Sequence, residues 1–398
     1  MRPRRGSAAA GPTRRGMAIA AVAGAGVLAG GYFAHSGAAA NPPPITAEAL
    51  GNELFFDVNL SKNRTQACAS CHSPNLAFTD PRSNPKVEGA VSLGDDGRSF
   101  GERNAPTVTY ASFAPDFHIN AKGKAVGGFF LDGRAKDLAE QAGGPPLNPV
   151  EMGMADKASV VARLKENPSY IAAFNALYGA GVLDDTEKGY AAMTSAIAAF
   201  ERTPQFAPFD SKYDRYLRGE EKLSDQEELG RVLFFSTQFT NCSQCHQLKM
   251  IGGSEKEIFS NFEYHNVGTP ANGTLHAANG KSADLGLSAN PAIKGNAEDG
   301  KFKVPTLRNV AVTGPYMHNG VFNDLRTVIL FYDKYNNKSA KRQINPETGK
   351  PWNPPEVPAN LSMKELETGP GLNDRRIDAL VAFLKTLTDK RYEHLLQQ

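Results

Sequence analysis

All four cysteines of the chain stand in two strings of one type, Cys68-Ala69-Ser70-Cys71-His72 and Cys242-Ser243-Gln244-Cys245-His246. A C-x-x-C pair alone is consistent with a redox-active disulfide. An imidazole directly after the second thiol, present both times, points instead to c-type haem attachment. In that chemistry two thiols add to the haem vinyl groups and the histidine supplies the fifth iron ligand. Cys68, Cys71, His72 and Cys242, Cys245, His246 are therefore expected to hold two covalent haem c groups. Function then turns on the sixth iron position, because an open iron binds peroxide and a filled one favours electron transfer.

The chain has eight histidines, and none lies between His72 and His118, so no neighbouring imidazole obviously closes the first site. Peroxide at an open iron needs an acid/base group to carry a proton from one oxygen to the other. The stretch from Asp132 to Met152 offers Gln141 and Glu151. Read from the residues alone, Glu151 is as compatible with a helix-terminal salt bridge as with a catalytic carboxylate.

The elements that must position these groups repeat. Leu50-Gly51-Asn52-Glu53-Leu54-Phe55-Phe56 precedes the first motif and Leu229-Gly230-Arg231-Val232-Leu233-Phe234-Phe235 the second, with apolar residues spaced for one face of a helix. Two cytochrome c-like domains are expected, from about 45 to 205 and from 206 to 398, with the boundary at Arg202–Pro208. Helices are expected at 135–142 after the Asp132-Gly133 turn, 158–166, 170–178, 193–200 and, capped by Asn373, 374–388. Gly-, Pro- and Asn-rich stretches at 247–303 and 338–370 read as loops. The fold class is mainly α with long irregular loops.

Composition is that of an ordinary globular chain, 40% hydrophobic and 22% charged. The formal charge of +2 includes five arginines within residues 1–40, a segment with no acidic residue, so the remainder is mildly acidic. Nucleic-acid binding has no support in that balance. The charged start, the apolar stretch 17–33 and Ala38-Ala39-Ala40 have the order of a secretory signal cleaved near Ala40, the alternative being an uncleaved N-terminal anchor. Either way the bulk of the chain is expected outside the cytoplasm, and membrane association only if the leader stays.

Together with both haem motifs, Arg103-Asn104-Ala105-Pro106-Thr107, Asp132-Gly133-Arg134-Ala135, Asn148-Pro149-Val150-Glu151-Met152, His265-Asn266-Val267-Gly268, Val304-Pro305-Thr306-Leu307-Arg308-Asn309 and Pro315-Tyr316-Met317-His318-Asn319-Gly320 carry a resemblance. Over nearly all of its length after the leader, the chain resembles the bacterial dihaem cytochrome c peroxidase superfamily, and within it the MauG-type branch. The resemblance implies a periplasmic enzyme in which Gln141, Pro145 and Glu151 line the pocket over the first haem, with Glu151 assisting cleavage of the peroxide O–O bond. It implies a calcium ion held by the Asn104 side chain and the carbonyls of Thr313 and Pro315; oxygen ligands suit that ion. It also implies Tyr332 as sixth ligand of the second haem, where true peroxidases use methionine. The alternative is a core tyrosine, with Met317 or Met363 as ligand. A tyrosinate would stabilise the higher oxidation states of iron, which suits storage of an oxidising equivalent better than acceptance of electrons from a cytochrome.

Two positions depart from the family. Leu131 stands where a tryptophan usually lies between the haems, and Thr240 where the MauG branch places a tryptophan for substrate oxidation; the only tryptophan is Trp352. His265 and His318 read as hydrogen-bonding rather than ligating, Arg134 and Arg308 as propionate or surface ion-pair partners, and Lys338–Arg342 as a solvated loop. The function implied is a MauG-like enzyme that uses hydrogen peroxide to oxidise a side chain, tryptophan before others, of a partner protein through high-valent haem iron. The alternatives are a cytochrome c peroxidase taking electrons from a small cytochrome c or cupredoxin, and a plain electron carrier.

Overall fold

Local sequence makes helices here and little else. The computed structural model describes residues 45–82, 87–248, 254–280, 282–367 and 369–397. Residues 1–40, expected to be a leader or an N-terminal anchor, lie outside the described residues, and no helix among the described residues is long and apolar enough to cross a membrane. In chain order the α-helices are α1 (Ala47–Phe55), α2 (Cys68–Cys71), α3 (Leu138–Ala142), α4 (Lys157–Lys165), α5 (Pro168–Tyr178), α6 (Thr186–Glu201), α7 (Lys212–Leu217), α8 (Asp225–Phe235), α9 (Cys242–Cys245), α10 (Gly273–Asn279), α11 (Leu325–Asn336), α12 (Met363–Leu366) and α13 (Asp374–Lys385). Among the described residues, strands amount to three antiparallel pairs of two residues each, His118–Ile119 with Ala125–Val126, Tyr264–His265 with Phe302–Lys303, and Ile344–Asn345 with Lys350–Pro351.

Caps fix where the helices begin. Ser224 and Glu227 bond each other's backbone N–H in a capping box at the start of α8. The Asn373 side chain accepts from Arg376 N at the start of α13. Expected boundaries are close at 157–165 and 168–178, but α3 starts at Leu138 because Asp137, not the Asp132-Gly133 turn, supplies the cap that accepts from Glu140 N. The stretch expected to be loop at 247–303 contains α10, capped by Asn272 on Leu275 N, and 338–370 contains α12.

The recurring L-G-x-x-L-F-F helices do the same work twice. Helix α1 crosses α6 and α8 crosses α13, backbone against backbone. A Cβ on Gly51 would lie 1.9 Å from the Ala196 carbonyl oxygen, and one on Gly230 1.9 Å from that of Ala379. Phe55 packs edge-on against Phe200 at 5.4 Å, and Phe234 packs tilted against Phe383 at 5.3 Å. The partner helices therefore align as well, Ala196, Ile197, Phe200 and Glu201 with Ala379, Leu380, Phe383 and Leu384.

Two large apolar clusters result, one built from residues between Leu50 and Phe206, the other from residues between Tyr213 and Leu387. Residues 45–398 nonetheless form one compact unit. Part of the reason is the C-terminal segment, a 3-10 helix from Lys390 to Gln397 that returns to the first half. Tyr392 Oη donates to the Pro74 carbonyl at 2.9 Å, and Tyr110 Oη donates to the Asp389 carboxylate at 2.5 Å.

Arg308, expected at a propionate or the surface, is buried in an ion pair with Asp214 at 2.5 Å and donates to the Glu257 carbonyl at 2.8 Å. Removing one partner of a buried pair leaves the other charge uncompensated, at about 3–5 kcal/mol. Arg308→Met should lower unfolding stability by that amount in a urea titration; a loss under about 1 kcal/mol would sink the assignment. Arg342 also departs from the solvated loop expected for 338–342. It is buried between Asp333 (3.0 Å) and Asp374 (2.9 Å), while Lys338 and Lys341 are exposed.

Candidate functional site

Both five-residue motifs open into one cavity of about 980 Å³. Each motif is a single helical turn, α2 or α9, with its cysteines at the two ends and its histidine as the residue that caps it. His72 Nδ1 meets the Phe78 carbonyl at 3.1 Å, and His246 Nδ1 meets that of Phe259 at 3.1 Å. A carbonyl only accepts, so Nδ1 carries the hydrogen in both rings and the Nε2 lone pair is left for a metal. Phe78 and Phe259 reach these positions with φ of 55° and 57°, a left-handed conformation rare for a bulky residue. Thr107 and Thr306 brace them by donating to the Ala77 and Ile258 carbonyls, at 2.5 and 2.6 Å. The repeat Pro106-Thr107 and Pro305-Thr306 is thus a second matched pair of parts, which the sequence shows only as two separate motifs.

The electrostatics fit haem and do not fit a redox dithiol. Burial pushes the Cys68 thiol up to about 12, Cys71 to about 11 and Cys245 to about 12, and raises Cys242. A reactive C-x-x-C pair requires the opposite shift. Burial also lowers both histidines, His246 to about 4, so both rings are neutral as iron ligation requires.

Gln141 at the end of α3, Pro145 at the start of a 3-10 turn, and Glu151 all lie on the cavity wall. The loop carrying Glu151 is fastened by Asn148, whose carbonyl accepts from Glu151 N at 3.0 Å and from Gly153 N at 2.9 Å. Burial raises the Glu151 carboxyl above its ordinary range, against the pull of Arg134 and the Asn148 side chain. Arg134 is held away from full solvation, 3.7 Å over the Phe130 ring and 2.8 Å from Asp132.

On the second motif's side, Tyr332 projects from α11 onto the cavity. Its phenol is raised above the ordinary value, first by burial and then by the neighbouring Cys245 and Cys242. Met317 also lines the cavity, in a left-handed backbone conformation (φ 71°); Met363 stands at the first turn of α12 and is not part of the lining. Asn104, Thr313 and Pro315 each line the same cavity. The Asn104 amide donates to the Ala90 carbonyl at 3.0 Å, which turns its own oxygen to the other side.

Leu131 lies where the halves meet, its carbonyl accepting from Lys303 N at 2.9 Å. Thr240 Oγ is occupied by the Leu233 carbonyl at 2.6 Å, and Trp352 packs on Phe322 and Phe331 in the second core with Nε1 on the Arg342 carbonyl. His318 takes Glu356 at 3.1 Å and stacks on Phe302, and His265 Nδ1 meets Ser362 Oγ at 3.3 Å. One wall residue carried no sequence signal of its own. Glu201, at the end of α6, is buried and faces the cavity beside Cys68. Only the alignment of α6 with α13 would have exposed it.

Comparison with known proteins agrees with this geometry. A family model described as di-haem cytochrome c peroxidase matches residues 46–222. The methylamine utilization protein MauG of Paracoccus denitrificans is 56% identical over 362 residues, covering 90% of this chain and 92% of that protein. The cytochrome c551 peroxidase of Nitrosomonas europaea is 32% identical over 372 residues, covering 90% and 88%. Among solved structures, the diheme peroxidase BthA of Burkholderia thailandensis superposes with a TM-score of 0.77 at 33% identity, covering 88% of each chain. With motifs, cavity and relatives in agreement, the chain belongs to the family of di-haem cytochrome c peroxidases and MauG proteins, which are peroxide-dependent oxidoreductases.

Proposed function

We propose that this enzyme uses hydrogen peroxide to oxidise a side chain, tryptophan before others, of a partner protein in the periplasm. The observation that carries the reading is Tyr332, an oxygen donor on the cavity wall against Cys242 and Cys245. In this reading each apolar core is a domain with one haem, attached through Cys68 and Cys71 or Cys242 and Cys245 and ligated by His72 or His246. Bound there, the haems supply the redox chemistry of O–O cleavage.

The chain's own residues supply the rest. Glu151, held above its usual range by burial, is suited to take the proton from one peroxide oxygen and return it to the departing one. Gln141 offers an amide to orient the same molecule. Tyr332 keeps its phenolic proton until a cation replaces it, since burial opposes a bare phenolate. The Asn104 side chain and the carbonyls of Thr313 and Pro315 are an all-oxygen set suited to calcium.

Tyr332→Phe tests the carrying observation. The low-spin haem absorption bands should shift while both haems stay attached; an unaltered spectrum removes Tyr332 from the iron. A second reading, a cytochrome c peroxidase, draws support from Thr240, which cannot be oxidised as the tryptophan of the MauG branch can. Rapid peroxide-driven oxidation of a reduced small cytochrome c would favour it.

A further inference from the structure

The two halves use the same crossing, yet one position breaks the match. Helix α13 places Leu384 on the cavity wall, 3% exposed and part of the second apolar cluster. Helix α6 places Glu201 at the corresponding point, 5% exposed and lining the cavity, with Oε2 lacking a hydrogen-bond partner among the described residues. An unpaired carboxyl in such surroundings is costly, and the second half shows that this crossing accepts leucine. A structural part does not explain the acid.

Its surroundings are almost free of charge. The buried faces of the elements packed on α6 are Leu50, Gly51, Leu54 and Phe55 from α1, Leu138 and Ala142 from α3, Val160, Val161 and Leu164 from α4, and Val182 and Leu183 from the 3-10 turn after α5. Helix α5 adds Ala173, Phe174 and the phenol Tyr170. Among the described residues the ionised neighbour acting on Glu201 is Arg202, itself exposed, and the group on which Glu201 acts is Cys68. Burial pushes the carboxyl up to about 8, so it is protonated at neutral pH while its environment stays neutral.

We propose that Glu201 is the proton store of the first haem site, binding one proton when the iron held by the Cys68–His72 motif gains one electron and releasing it when that electron leaves. The inference rests on the reading that the first motif holds haem. An extra positive charge on iron favours the carboxylate, and loss of that charge favours the carboxylic acid, so electron and proton move together and net charge in the apolar pocket stays constant. Glu201 is a positioning group for charge and not a residue that touches peroxide.

The test is a potentiometric titration of the holoprotein between about pH 6 and about pH 10, with wild type, Glu201→Gln and Glu201→Leu compared at an electrode. In wild type the reduction equilibrium of the first haem should weaken tenfold per pH unit around pH 8, about 59 mV per unit. Both variants should be flat there, and the second haem, beside Leu384, should behave alike in all three proteins. Glu201→Leu should also melt higher than wild type. A carboxyl raised from 4.5 to about 8 favours the fold below 4.5, and that contribution is lost as pH rises through about 8, so the gap in melting temperature should widen across that window. Equal slopes in wild type and Glu201→Gln, with haem present at the first motif, overturn the role of Glu201 alone. Absence of haem from Cys68 and Cys71 in wild type, read by mass, overturns the site assignment beneath it as well.

Discussion

Gly51→Ala should destabilise the protein by about 3 kcal/mol or more, and Gly230→Ala by a similar amount. Overpacked cores usually lose less because side chains rotate out of the way. Here the added methyl group would meet the main chain, 1.9 Å from the Ala196 or Ala379 carbonyl oxygen, and 2.8 Å from the Cβ of Phe200 or Phe383. Neither can move unless the whole helix moves. Separating α1 from α6 would also break the contact of Phe55 with Phe200 and loosen Ile197 and Glu201, which wall the first motif. Urea unfolding followed by circular dichroism measures the loss, and a change under about 1 kcal/mol for both variants would show that the helices part easily.

Glu151→Gln should slow peroxide consumption by about 10²–10⁴-fold at neutral pH, with both haems still attached. Glutamine keeps the shape and leaves the main-chain bonds of the loop, from Glu151 N and Gly153 N to the Asn148 carbonyl, untouched, and its amide oxygen can still meet the Asn148 side chain. What it removes is the exchangeable proton on a carboxyl raised by burial. Stopped-flow mixing with peroxide measures the rate. A loss under about tenfold would reduce Glu151 to a wall residue and favour a chain that only carries electrons.

The haem motifs were legible because attachment chemistry demands neighbours in sequence. The L-G-x-x-L-F-F helices were legible because a close crossing demands glycine and large apolar residues at fixed spacing. Their partners were harder to see. In α6 and α13 the alignment rests on Ala196, Phe200, Ala379 and Phe383, common residues whose meaning comes only from the glycine each pair meets. Arg308 and Arg342 were misread as solvent- or propionate-facing because their carboxylates, Asp214 and Asp333, stand 94 and 9 residues away, and nothing local announces a buried pair. Glu201 failed for a related reason. An acid at the end of an amphipathic helix is normally wet, and only tertiary packing shows this one to be dry. Tyr332 and Asn104 came from the family resemblance and not from their spacing, and the resemblance alone chose the catalytic reading of Glu151 over a salt bridge.

The return of the C-terminal segment constrains how the molecule is made. The loop that follows the first histidine is tied down by Tyr392, at its Pro74 carbonyl, and Tyr110 is tied by Asp389. Some three hundred residues separate the two ends of that clasp, so the amino-terminal site is locked only once residues 389–392 are there to hold it. A chain cut short of residue 389 would leave the amino-terminal centre ajar and would also free Asn309 and Arg215, which Asp389 and Glu393 hold in the second half.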